Sequence, residues 1–166
     1  YPLSTMGAHV SDCPNHMVGR TTPFKTRGDV ALAGTFGYEL DITKIPESDR
    51  ADIPRQVETY HKYNALVRSG DYYRIASYQS NKEYDAYAVI SKDKTKALIT
   101  YVQVLAKPNP ARRTLKIKGL DDNKTYRVVG TNEAILGSTL RKVGMKMPSI
   151  NGDFKSELIY LESEEK

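Results

Sequence analysis

Cysteine is almost missing from this sequence, and the single Cys13 excludes an intrachain disulfide framework. A reducing compartment, the cytoplasm, is the simplest home for such a chain. Tryptophan is absent, which weakens any reading that rests on a broad aromatic platform. No apolar run approaches the ~20 residues that a membrane span requires. The opening residues, Tyr1-Pro2-Leu3-Ser4-Thr5, contain no initiator Met, no basic leader and no apolar segment, so they are not a signal peptide. They read as the middle of a longer polypeptide. No internal repeat is visible.

The remaining composition, 39% hydrophobic and 27% charged, is that of a folded globular chain. The net charge of +5 raises the question of a nucleic-acid partner. Lys and Arg are interspersed with Asp and Glu, however, and the densest basic stretch, Lys107 to Lys118, alternates with apolar residues as a strand does. No nucleic-acid partner is expected.

The pattern changes near Gly70. Before it, Gly7-Ala8-His9-Val10 suits a short strand, Asp29 to Ala33 a brief helix, and Thr35 to Ile42 a second strand. Residues 48–69 carry the strongest helical signal, with Ile53, Val57, Tyr60, Asn64 and Val67 on one stripe. Ser48 or Asp49 is expected to cap this helix, and Pro54 to lie in an early turn. After Gly70 the chain reads as all-β. Tyr72 to Tyr78 and Tyr84 to Ile90 alternate, and Ala97 to Leu105 is apolar enough for a central strand. Arg113 to Ile117, Tyr126 to Val129 and Phe154 to Leu161 are further strands, and Leu136 to Leu140 is helical or extended. This spacing indicates an antiparallel sandwich.

Several residues invite chemistry. His9, Cys13 and His16 have a zinc-like spacing, but a structural site wants four ligands and only His61 remains. Cys13 and His16 also suggest a thiol hydrolase, although Pro14-Asn15 favours a turn between them. Arg27-Gly28-Asp29 spells an integrin tripeptide and reads as a turn before a helix. Asp12, Asp29, Glu39 and Asp41 offer carboxylates for glycoside hydrolysis, but nothing in the sequence selects a pair with one raised pKa.

The run Tyr1-Pro2-Leu3-Ser4-Thr5-Met6-Gly7-Ala8-His9-Val10-Ser11-Asp12-Cys13-Pro14-Asn15-His16 resembles the A-H-V-S-x-x-P-N-H stretch of α-galactosidases of glycoside hydrolase family 36, here of bacterial type. Gly19 to Asp41, Gly70-Asp71-Tyr72-Tyr73-Arg74, Leu115 to Leu120 and Gly152-Asp153-Phe154 continue the resemblance over essentially the whole chain.

The resemblance implies a longer parent with a (β/α)8 barrel and a C-terminal antiparallel β domain. Residues 1–70 would be the last βα units of the barrel, and residues 71–166 the β-sandwich. Such enzymes are retaining exo-glycosidases that act on terminal α-galactosides of raffinose and melibiose type, without metal or cofactor. Their two catalytic aspartates belong to K-W-D and S-D-x-x-D motifs. K-W-D does not occur here, and the one S-D-x-x-D string, Ser48-Asp49-Arg50-Ala51-Asp52, falls at the start of the helix expected over residues 48–69, so the chain is expected to hold no catalytic residue and to be inactive alone. His9 and Ser11 would end a barrel strand, with Asn15 and His16 in the loop that shapes the substrate mouth. An incomplete barrel exposes strand edges, so the chain is expected to need the rest of the barrel or to form a homo-oligomer. The competing reading is a non-catalytic carbohydrate-binding or scaffold sandwich.

Overall fold

Gly7–Ser11 forms strand β1, with Val10 completely buried between more exposed neighbours. Helix α1 (Phe24–Ala31) follows, then strand β2 (Thr35–Glu39) and the 23-residue helix α2 (Glu47–Ser69). β1 and β2 are parallel, with Val10 opposite Tyr38 and Ser11 opposite Glu39. Parallel neighbours require a crossover, which α1 supplies. Val10, Phe24 and Ala31 form the core of this part, and Ala8, Phe36, Tyr38, Leu40 and Ile53 pack around it. The computed structural model describes residues 2–164, which divide into two compact units between Arg68 and Ser69.

Three local expectations shift in this first unit. α1 starts at Phe24, directly after Pro23, because Phe24 and Thr26 are both buried. Arg27-Gly28-Asp29 therefore lies inside the helix and not in a turn. A Cβ at Gly28 would come within 2.5 Å of Gln56 Cδ, so a larger residue there would displace the Gln56 amide. β2 stops at Glu39 and not at Ile42, because the Asp41 carboxylate accepts bonds from the Thr43 N–H (3.0 Å) and hydroxyl (2.6 Å) and turns the chain.

α2 begins at Glu47, so Ser48 and Asp49 lie within the first turn, where Glu47 and Asp49 complement the helix dipole. Pro54 sits well inside this helix and withdraws one intrahelical N–H. The most informative residue on α2 is Gln56, which the apolar stripe does not include. Its amide donates to the Phe24 carbonyl (3.0 Å) and accepts from the Tyr38 hydroxyl (3.0 Å), joining α1, β2 and α2.

The second unit contains β3 (Asp71–Ala76), α3 (Tyr78–Asn81), β4 (Tyr84–Ile90), β5 (Lys96–Gln103) and β6 (Thr114–Leu115). It continues with β7 (Thr125–Val128), β8 (Ala134–Leu136), α4 (Gly137–Lys142), β9 (Met145–Lys146) and β10 (Lys155–Ser163). Six strands form an antiparallel sheet in the order β3-β4-β5-β10-β7-β8, and β6 pairs with β9. Leu115 and Met145 of the small ribbon share one core with Ile99, Tyr101, Tyr126 and Leu161 of the large sheet. The sandwich is thus very unequal in its two layers. β5 is interior to the sheet, and its apolar run is explained by burial on both faces: Ala97, Ile99 and Tyr101 on one, Leu98 and Thr100 on the other.

The β4–β5 connection illustrates how polar residues hold a turn. Asp93 accepts from the Ser91 hydroxyl (2.6 Å), the Thr95 N–H (3.0 Å) and the Thr95 hydroxyl (2.7 Å). These bonds, the Ser91 hydroxyl foremost, lower the Asp93 pKa from 3.8 to about 2. A depressed carboxylate pKa stabilises the fold fully above 3.8, and that contribution is lost as pH falls through about 2. Carboxyl-carbon NMR titration of Asp93 should accordingly give a midpoint near 2, moving up in Ser91→Ala. A wild-type midpoint near 3.8 would remove this account of the turn.

Among the described residues, no helix is long and apolar enough to cross a membrane.

Candidate functional site

Strand alternation divides the β1–β2 pair into two faces. Ala8, Val10, Phe36 and Tyr38 belong to the apolar core. His9, Ser11, Gly37 and Glu39 therefore share the opposite face, at the C-terminal ends of both strands. His9 Nε2 lies 2.9 Å from Glu39 Oε2, with both side chains substantially exposed. A Cβ added to Gly37, which is opposite His9, would meet nothing within 4 Å, so the space beside the imidazole is open. An exposed pair of this kind adds little stability. It does present a proton carrier and a carboxylate acceptor to any polyol placed over the strand ends.

The loop that leaves β1 is held at three points. Asn15 Oδ1 accepts from the N–H groups of Met17 and Val18 (both 3.1 Å), and its backbone bonds to Arg20 and Gly19. Cys13 Sγ accepts from the Thr22 N–H (3.4 Å) and faces the Thr22 carbonyl (3.7 Å). The Cys13–Pro14 peptide is cis. The strongest tie is Arg27. Its guanidinium donates to the carbonyls of Ser11 (2.7 Å) and Thr22 (3.1 Å), and to Asp49 on α2 (3.2 Å). Its side chain is only 12% exposed and stacks on Phe24.

Of the sequence candidates, His9 and Ser11 lie on the open strand-end face. Asn15 is engaged in building the loop, and His16 points outward at its tip, beside the exposed Met17 and Val18. Glu39 is brought to His9 by the parallel register, which pairs the last residues of both strands. Arg27 was hidden inside the tripeptide, and only its long-range carbonyl bonds reveal its role. The zinc spacing does not converge: Cys13 is engaged by Thr22, and no group of three His, Cys, Asp or Glu among the described residues could hold a metal. Asp29 is buried against Lys25 (2.7 Å), and Asp41 is held at about 2, chiefly by the Thr43 hydroxyl and Lys44.

A second polar cluster lies in the β unit. Arg113 donates to Glu83 (2.8 Å), to Gln103 (2.6 Å) and to the Tyr101 hydroxyl, with its guanidinium over the Tyr84 ring. Lys107 also pairs with Glu83 (2.6 Å), and the two cations, Lys107 first, hold the Glu83 carboxyl below its ordinary range. Gln103 in turn donates to the carbonyls of Ile150 (2.9 Å) and Gly152 (2.7 Å). This cluster fastens the 107–113 and 150–153 loops to β5.

A parallel β-α-β-α segment with a polar strand-end face, followed by an antiparallel β unit, agrees with the two families that the chain matches. Residues 1–70 match the family described as Melibiase, and residues 84–161 that described as Glycosyl hydrolase family 36 C-terminal domain. The protein class is therefore that of the glycoside hydrolases. Alpha-galactosidase AgaA of Geobacillus stearothermophilus is 43% identical over 157 residues, 94% of this chain and 21% of that protein. The crystal structure of the alpha-galactosidase from Lactobacillus brevis superposes with a TM-score of 0.94 at 34% identity, covering 100% of this chain and 23% of that one. A structure of AgaA in complex with raffinose gives 0.92 at 41% identity, covering 98% and 22%. The chain belongs to glycoside hydrolase family 36. It spans about a fifth of the length of these relatives.

Proposed function

We propose that the protein containing this chain is an α-galactosidase, a retaining exo-enzyme that removes terminal α-linked galactose from oligosaccharides such as raffinose and melibiose. In this reading residues 1–70 supply the last βα units of a (β/α)8 barrel, and residues 71–166 the C-terminal β domain. The observation that carries it is the open polar face of His9, Ser11 and Glu39 at the C-terminal ends of two parallel strands, the end where such barrels place their sites. These groups suit hydrogen bonding to sugar hydroxyls, and the loop bearing Asn15 and His16 forms one wall of the substrate mouth. Among the described residues β1 and β2 pair only with each other, so their outer edges are available to neighbouring barrel strands or to a second copy.

Retaining hydrolysis needs two carboxyl groups about 5–5.5 Å apart, one as nucleophile and one as acid and base. Both are assigned upstream of this chain, which contributes positioning and not the chemistry. The test is hydrolysis of a chromogenic α-galactoside by the purified chain, beside the complete enzyme. The complete enzyme should turn over and the chain alone should not. Turnover by the chain that survives removal of contaminating enzyme would overturn the assignment, and so would a complete enzyme inactive on α-galactosides.

A further inference from the structure

We infer a second ligand site, in the β unit and separate from the β1–β2 face, that binds a phosphate monoester of about monosaccharide size. A cavity of about 260 Å³ opens beside the Arg113 cluster, and its lining includes Arg112, Lys146, Ser149, Met147 and Pro148. This lies below the roughly 300–1,000 Å³ of drug-sized pockets, so a small ligand fits it.

The charge of the lining selects the ligand. No Asp or Glu lines the cavity, whereas three cations do. Arg113 is already committed to Glu83, Gln103 and Tyr101. Arg112 and Lys146 are exposed, and neither makes an ion pair or side-chain hydrogen bond among the described residues. Lys107, by contrast, pairs with Glu83. Two cations and the Ser149 hydroxyl lining one cavity match a dianion with several acceptor oxygens better than a monovalent carboxylate.

The backbone holds these cations in place before any ligand arrives. β6 pairs with β9 so that Lys146 lies opposite Thr114, and the Met147 N–H donates to the Arg113 carbonyl (2.9 Å). Lys146 therefore projects from a paired strand, and Arg112 from the segment two residues before β6, next to the bonded Arg113 carbonyl, which lowers the ordering cost of binding. Met147 and Pro148 supply an apolar surface against which the carbon face of a sugar ring can rest.

The test is calorimetric titration of the complete enzyme with inorganic phosphate, a hexose phosphate and galactose, at low and raised salt. The hexose phosphate should bind, galactose should not displace it, and salt should weaken it. Arg112→Ala and Lys146→Ala should each cost about tenfold in affinity, the size expected for one lost charge-assisted bond. Both residues are exposed, and thermal melts of the variants should match the wild type. Inorganic phosphate binding as tightly as the hexose phosphate would keep the site and make the free ion its ligand. Absence of binding by both phosphate probes, or unchanged affinity in the double variant, would overturn the inference.

Discussion

Arg27→Ala should lower kcat/KM of the complete enzyme on an α-galactoside by roughly ten- to a hundredfold, although Arg27 touches no reacting atom. The size follows from the sensitivity of catalysis to misplacement, where about 1 Å can cost a hundredfold. Arg27 binds the carbonyls at both ends of the 11–22 loop and anchors them to Asp49. Removing it leaves two carbonyls and a partly buried carboxylate without their donor, each costing about 1–3 kcal/mol if water cannot replace it. Ser11 at the strand end and the loop carrying Asn15 and His16 then lose their common support. As a positioning residue, Arg27 should change KM and kcat together. Arg27→Lys should rescue only in part, because an ammonium cannot span three divergent acceptors as the guanidinium fork does. A value within about twofold of wild type, the usual range for a neutral surface change, would remove this loop from the substrate mouth.

Gly137→Ala should destabilise the β unit by about 3 kcal/mol, at the upper end of the range for overpacking. A Cβ at this position would stand 1.9 Å from the Asp121 carbonyl oxygen, which is main chain and cannot rotate aside. The same turn is fastened by the Gly137 N–H to the Lys124 carbonyl (2.8 Å) and the Ser138 N–H to the Asp122 carbonyl (3.1 Å). Relief of the clash therefore breaks bonds that join α4 to the turn before β7. Thermal melts should show a fall of about 4–8 °C per kcal/mol for a unit of this size. Gly130→Ala is the informative control. Gly130 has φ +88 but open space around its Cβ position, so it should lose only the ~1–2 kcal/mol of left-handed strain. Gly137 is not left-handed, so a loss there no larger than at Gly130 would mean that the Asp121 contact is relieved at little cost.

The elements that were legible in the sequence are those whose pattern is local. α2 was readable because its apolar stripe and dipole-matched ends lie within one segment. β5 was readable because burial on both faces leaves a continuous apolar run. Boundaries failed where side chains outvoted propensity. Asp41 ends β2 by capturing Thr43, and Phe24 draws α1 forward by its burial. Arg27 and Gln56 were not legible as anchors, because their partners lie 16 and 32 residues away.

The sequence by itself determined the family, through the A-H-V-S-x-x-P-N-H run, and the change from mixed α/β to β near residue 70. Those properties reside in consecutive residues and in periodicity, which need no knowledge of neighbours in space. Only the tertiary structure decided that Glu39 meets His9, that Arg27 ties both ends of the 11–22 loop, and that Arg112 and Lys146 line one cavity. Each of these depends on strand register or loop closure, and a shift of one residue in either would send the same side chains to the opposite face.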